Sequence, residues 1–232
     1  MTPTLLEMFA GGGLAGCGYR AAGFVPVGAV EYDEAIADAY SRNLGRHIQT
    51  ADVCAVDYRP FAGVDLAHAS PVCTNASVAN TDGEECEADL LAAEAVCRML
   101  REARPRWFVL ENVMGYRSFR SYSNILQTLR SLGYQFRAQV INSANFGVAQ
   151  TRKRLIVMAC REGNVPRLTA THCEGGSVGM FADDTLLPWV GWYAAVEDLL
   201  DTLPESEFAP WQLKRLPEWV TTCLVGGGNT SD

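Results

Sequence analysis

The sequence predicts an α/β fold: a mostly parallel sheet with helices on both faces. Three observations carry that prediction. Short apolar runs alternate with amphipathic stretches in β-α-β-α order from residue 4 onward. The first run ends in a glycine cluster, Ala10-Gly-Gly-Gly13, which opens a helical stretch. The chain of 232 residues is 48% apolar and 20% charged, enough to bury a full core. Such values exclude disorder, a collagen-like fibre and a disulfide miniprotein as descriptions of the whole chain.

The elements follow in order. Thr4–Phe9 reads as a buried strand, Leu14 to about Ala22 as a helix, and Val25–Glu31 as a second strand ending in an acid. Glu34–Leu44 has helical composition, and Asp65–Ala69 is a short strand stopped by Ser70-Pro71. Over Glu87–Ala103, Leu90, Leu91, Ala95, Val96, Met99 and Leu100 recur at helical spacing. Arg104-Pro105 ends that helix, and Trp107–Leu110 is the next strand. Ser121–Leu132 is amphipathic and stops at Gly133; strands follow near Phe136–Ile141 and Arg154–Ala159. Regularity fades beyond, so a first domain is expected over 1–160 and a C-terminal extension over 161–232. The extension should hold one helix, about Gly191–Leu203.

No apolar run of about 18 residues predicts a membrane span, and the N-terminus does not read as a signal peptide. The expected location is the cytoplasm. The eight cysteines form no C-x-x-C pair and no zinc spacing, so no metal is expected. Charge is uneven. Residues 1–97 carry 4 basic and 14 acidic side chains, 98–154 carry 11 and 2, and 155–232 carry 4 and 11. Arginine makes up 17 of the 19 basic residues, the side chain best suited to phosphate. If the arginines of 98–154 share a face, they make an electrostatic footprint for a polyanion; otherwise they are surface charges paired with acidic flanks.

Four local signals carry chemistry. Glycines after a first strand let a ligand approach the backbone, and an acid ending the second strand, Glu31, suits ribose hydroxyls. The cluster is neither a G-x-G-x-x-G nor a P-loop, and it also reads as a tight turn. Cys73, just after a strand end, is placed as a nucleophile or as a structural thiol. Glu111-Asn112-Val113 puts a carboxylate on the same edge. Gln150-Thr-Arg152-Lys-Arg154 opens a strand, with alternation sending Arg152 and Arg154 to one side; it also reads as a charge-guarded edge.

Phe-x-Gly-x-Gly, a strand-ending Glu, Pro-x-Cys, Glu-Asn-Val and Gln-x-Arg-x-Arg, in this order over residues 4–160, resemble the DNA cytosine-5 methyltransferase family. Ala39-Tyr-Ser-Arg-Asn43 and Asn145-Phe-Gly-Val-Ala-Gln150 resemble it further. The resemblance implies a class I methyltransferase fold of Rossmann-like type with S-adenosylmethionine as donor and S-adenosylhomocysteine as product. Phe9 would lie against the adenine, Glu31 and Tyr32 would hold the ribose, and Asp52 and Val53 would contact the adenine. Ala10, Gly11 and Gly13 would pass the methionine part. Cys73 would attack cytosine C6, Glu111 would hold the N3/N4 edge, and Arg154 would contact O2 or orient Glu111, with Arg152 in support. Ser77, Asn112, Val113 and Gln150 would contact the substrate, a base flipped out of double-stranded DNA. Restriction-modification is among the settings implied.

The chain departs from the family pattern in three places. Val72 replaces the proline usually before the cysteine. The following loop is acidic, with Asp82, Glu84, Glu85, Glu87 and Asp89, some of which suit the start of the next helix. After residue 160 no recognition domain of useful size follows; Trp192–Pro204 resembles only the helix before it, and Gly228-Asn229 is rejected as the closing segment. The expectation is a catalytic part lacking its C-terminal half, with a second polypeptide as one source of it. A donor- or nucleic-acid-binding remnant without turnover, and the same chemistry on RNA or a free nucleotide, remain alternatives.

Overall fold

The computed structural model describes residues 2–72, 83–177, 185–202 and 214. Among them, β1 (Thr4–Met8), β2 (Val25–Glu31), β3 (Ile48–Thr50), β4 (Leu66–Ala69), β5 (Trp107–Asn112), β6 (Gln135–Asn142) and β7 (Lys153–Cys160) form one sheet in the order β3-β2-β1-β4-β5-β7-β6. The first five strands run parallel, so their C-terminal ends align: Met8 pairs with Val30 and Ala69, and Ala69 with Leu110. β7 is antiparallel to both β5 and β6. The connection from Ser143 to Arg152 is shorter than the dozen or so residues a parallel crossover needs, so the chain turns back as a hairpin.

Helices α1 (Leu14–Ala21) and α2 (Glu34–Leu44) serve one face, and α3 (Glu87–Ala103) and α4 (Arg120–Ser131) the other. Strand alternation divides the residues between them. Leu6, Met8, Ala67, Ala69, Phe108 and Leu110 join the main core with α3 and α4. Glu7 and His68 point the opposite way, to Tyr40 of α2 and Tyr19 of α1. Burial pushes the His68 pKa down to about 4 and keeps its ring neutral. The Tyr19 hydroxyl bonds its Nδ1 at 3.0 Å.

The periodic elements form where hydropathy predicts them, within a residue or two at each end. Three findings differ from expectation. The short edge strand β3, with Ile48 as its one apolar residue, carries too little pattern to be read in advance. The helix expected over Gly191–Leu203 is, among the described residues, a 3₁₀ segment over Glu197–Thr202. The chain divides into two compact units, 1–191 and 192–232, later than the expected break after 160. Residues 161–191 stay with the first unit because β8 (His172–Cys173) and β9 (Leu187–Pro188) pair beside the Ser143–Phe146 turn.

The arginines of 98–154 do not make one phosphate-facing stripe. Arg98 donates to the carbonyls of Val53 and Val56, each at 3.0 Å, and its guanidinium lies 5.7 Å from the Tyr58 ring centroid. Arg101 pairs with Glu94 at 2.8 Å, Arg130 lies 5.1 Å from the Phe136 ring centroid, and Arg137 donates to the Val165 carbonyl at 3.3 Å. Arg104 and Arg106 precede β5, whereas Arg152, Lys153 and Arg154 open the antiparallel β7, at the other end of the sheet. The latter group lies at the sheet end that holds Glu111, the end from which Arg117 and Arg120 also follow β5.

Candidate active site

Where β1 ends, the chain must turn into α1 within five residues. Phe9 adopts a positive φ of 56°, with Gly11 at 55° and Gly13 at 88°, and only glycine takes such values without strain. The turn is tied to the next strand: Ala10 N–H donates to the Val30 carbonyl at 3.0 Å and Gly11 N–H to Glu31 Oε2 at 2.8 Å. Glu31 Oε1 accepts from the N–H groups of Tyr32 and Asp33, at 2.9 and 3.1 Å. A carboxylate has about four acceptor positions, so Glu31 is fixed in place and still able to accept from a hydroxyl.

Five of the expected donor residues, Phe9, Glu31, Tyr32, Asp52 and Val53, line one cavity of about 420 Å³, within the range of small-molecule sites. Ala10, Gly11 and Gly13 shape its turn without lining it. Asp52 accepts from Cys54 N–H at 2.8 Å, which bends the chain after β3. Cys54, Val72 and Leu91 also line the cavity, and sequence reasoning missed them. Leu91 belongs to the apolar stripe of α3 that hydropathy assigns to the core, yet it is 54% exposed and closes the cavity instead. Periodicity shows that a residue lies on the apolar face, not whether protein or ligand covers it. The slot is mostly apolar, with the carboxylates of Glu31 and Asp52 among its lining, a composition that suits a nucleoside.

The second half of the site lies at the ends of β4, β5 and β7. Cys73 and Ser77 fall outside the described residues. The chain leading to them is held at two points. Ser70 Oγ donates to the Phe9 carbonyl at 3.3 Å, and Asn112 Nδ2 to the Pro71 carbonyl at 3.0 Å. Asn112 is only 2% exposed, its Oδ1 accepts from Val113 N–H, and its amide holds the loop before Cys73. Val113 is half-buried against the core.

Glu111 and Arg154 meet as an ion pair at 2.8 Å, with side chains 31% and 17% exposed. The β5–β7 register explains the contact, since Glu111 opposes Ile156, and Arg154 is the next residue on the same side of β7. Arg152 and Gln150 are exposed and precede the strand. Arg152 is held by its backbone alone among the contacts observed. Its N–H donates to Asn142 Oδ1 at 3.0 Å, and its carbonyl accepts from Ser143 N–H and Oγ at 3.0 and 3.2 Å.

The acids after the cysteine loop work at helix starts. Glu87 and Asp89 lie in the first turn of α3, and Asp89 Oδ2 accepts from Cys86 N–H at 2.9 Å. Glu85 reaches α4 instead, accepting from Arg120 N–H, Ser121 N–H and Ser121 Oγ at 3.0, 2.7 and 2.6 Å. Burial opposes its charge, but these donors outweigh that and hold its carboxyl below the usual range. A depressed pKa gives stability that is complete above the unfolded value of about 4.3 and is lost as pH falls through the folded one. Glu85→Ala is therefore expected to cost about 1 kcal/mol at pH 7, as loss of a cap does. Urea denaturation should show that gap narrowing below about pH 4; a gap independent of pH would remove the charge from the explanation.

Among the described residues no helix is long and apolar enough to cross a membrane, and no group of three His, Cys, Asp or Glu side chains could hold a metal.

A parallel sheet closed by a reversed hairpin, with a nucleoside-shaped slot beside its glycine turn, defines a class I S-adenosylmethionine-dependent methyltransferase fold. Solved structures agree: Dnmt2 methyltransferase of S. pombe superposes with a TM-score of 0.59 at 19% identity, covering 70% of this chain and 52% of that one. The Entamoeba histolytica methyltransferase EhMeth gives 0.60 at 15% identity, covering 73% and 56%. The model of the C-5 cytosine-specific DNA methylase family matches residues 4–185, and the chain belongs to that family. Type II methyltransferase M1.HphI of Haemophilus parahaemolyticus is 27% identical over 78% of this chain and 53% of its own length. M.XorII of Xanthomonas oryzae pv. oryzae is 28% identical over 80% and 48%. The chain thus spans about half the length of these relatives. Type II methyltransferase M.AquIA of Picosynechococcus sp. is 26% identical over 89% of this chain and 91% of its own length.

Proposed function

We propose that the chain carries the donor site and catalytic groups of a DNA cytosine-5 methyltransferase, acting on a base flipped out of duplex DNA. The observation that supports it most is the Glu111–Arg154 pair, held by strand register beside the loop that leads to Cys73 and on the same sheet end as the Glu31 slot. Phe9, Val53 and Leu91 would enclose the adenine, and Glu31 would accept from the ribose hydroxyls. S-adenosylmethionine supplies an electrophilic methyl group.

The chemistry asked of the chain follows from cytosine. C5 is a poor nucleophile until the ring loses aromaticity. The Cys73 thiolate adds to C6, forming an S–C bond and pushing the electron pair toward N3. Glu111 meets that edge and shares a proton with N3 as charge develops there, while Arg154 contacts O2 or orients Glu111. C5 then takes the methyl group. A base removes the C5 proton, and the returning electron pair expels Cys73. Extrusion from the stack costs a few kcal/mol, offset by phosphate contacts for which Arg152 and Lys153 are available.

The type II names of the relatives favour a modification role beside a restriction activity. Target recognition would come from residues outside the matched half, on this or a second polypeptide. The test is a trapping assay with 5-fluorocytosine DNA and S-adenosylmethionine, in which fluorine blocks loss from C5. A covalent adduct absent in Cys73→Ala is the expected result. Donor binding without any adduct, even with a candidate C-terminal half added, would overturn catalysis in favour of a silent donor-binding protein.

A further inference from the structure

We infer that Trp189 and Asn145 are positioning residues for the arginines of the site, through a clamp that Thr171, His172, Cys173 and Trp189 place on the β6–β7 turn. The inference rests on the reading of Arg152 and Arg154 as substrate-facing groups. One side of the clamp, Thr171, His172, Cys173 and Trp189, lies beyond residue 160; the other, Asn145 and Gly147, lies in the Asn145-Phe-Gly-Val-Ala-Gln150 segment.

Four contacts make the clamp. Trp189 N–H donates to the Cys173 carbonyl at 3.0 Å, which hangs the indole from the β8–β9 pair. Its Nε1 then donates to Asn145 Oδ1 at 2.9 Å. Thr171 N–H donates to the Asn145 carbonyl at 2.9 Å, so Asn145 is gripped by side chain and backbone together. The His172 ring closes on Gly147, where an added Cβ would stand 3.0 Å from His172 Cε1. Gly147 has a φ of 83°, and its left-handed turn sends the chain back toward β7.

What is gripped is short and leads directly to the arginines. Asn145 lies in the Ser143–Phe146 turn. Asn142 Oδ1 and Ser143 hold the backbone of Arg152, and Arg154 pairs with Glu111 two residues later. A displacement of Asn145 is therefore transmitted through Ser143 to Arg152 without passing through the core. Misplacing a reacting contact by about 1 Å costs up to about 100-fold in rate, whereas the donor slot lies on other strands and should not respond.

The test uses the full chain as Trp189→Phe, Asn145→Ala and the double variant. Trp189→Phe keeps the ring and removes the donor. Amide exchange should rise at Ser143, Val148, Gln150 and Arg152 and stay unchanged in α3. Adduct formation on 5-fluorocytosine DNA should slow by about tenfold or more in each single variant, with S-adenosylmethionine affinity preserved. If the indole–amide bond is what matters, the double variant should be no slower than the slower single one. Parental exchange at those four amides would overturn the clamp. So would raised exchange with parental adduct formation. If the unaltered chain forms no adduct, autonomous catalysis fails rather than the clamp. Exchange then decides the clamp alone, raised values upholding it and parental values overturning it.

Discussion

Glu111→Gln is expected to lower adduct formation on 5-fluorocytosine DNA by roughly 10²–10⁴-fold, the range for loss of a positioned proton donor. The amide keeps the shape of the side chain but cannot donate a proton to N3 and carries no charge to pair with Arg154. Arg154, 17% exposed, would be left facing a neutral group. That change falls on the chemistry and not on donor binding, because Glu111 does not line the donor cavity. S-adenosylmethionine affinity measured by calorimetry should therefore match the parent. Two results would count against the assignment: an adduct rate retained in Glu111→Gln, or a rate and donor affinity that fall together.

The second large effect is on stability and concerns Gly16, the third residue of α1. A Cβ there would collide with Glu7 Oε2 and with Leu44 Cδ1. Leu44 is only partly buried and its Cδ1 can shift, but Glu7 does not give way cheaply. Glu7 is fully buried, and its Oε2 accepts from the Tyr40 hydroxyl at 2.7 Å; Tyr40 in turn meets His47 Nε2 at 2.9 Å. Burial pushes the Glu7 carboxyl up, against donation from Tyr40 and the Gly16 backbone. Its Oε1 has no hydrogen-bond partner, so the group has nowhere polar to move. Gly16→Ala is expected to cost about 3 kcal/mol, at the upper end of overpacking, and Gly16→Val more. At roughly 2–4 °C per kcal/mol for a chain of this size, the melting temperature should fall by about 10 °C. Gly18→Ala is the control. Nothing lies within 4 Å of its added Cβ, and replacing a helical glycine gains about 0.5–1 kcal/mol. Equal melting of Gly16→Ala and the parent would show that α1 can move away from β1.

Neither expectation could be written from the sequence in full. Glu111 and Arg154 are both visible there, but their 2.8 Å contact depends on β7 entering between β5 and β6 in antiparallel register. Gly16 is one glycine among 21 until the fold sets Glu7 against it.

What the sequence by itself determined is what local physics encodes. The hydropathy period set helices over Glu34–Leu44 and Glu87–Ala103, and a strand over Val25–Glu31. The order of Glu31, Cys73, Glu111 and Arg154 carried the family, because parallel strands bring successive C-terminal ends to one side of the sheet. Tertiary structure alone decided which of these residues meet and which charges are free. It turned Arg98 inward to two carbonyls and sent Glu85 to cap a helix beginning at Arg120. It also turned Leu91 toward the cavity and joined Trp189 to Asn145 across 44 residues. The reason is the same in each case. A side chain's partner far along the chain is set by strand order, register and the closure of loops, and neither charge counts nor periodicity contains those distances.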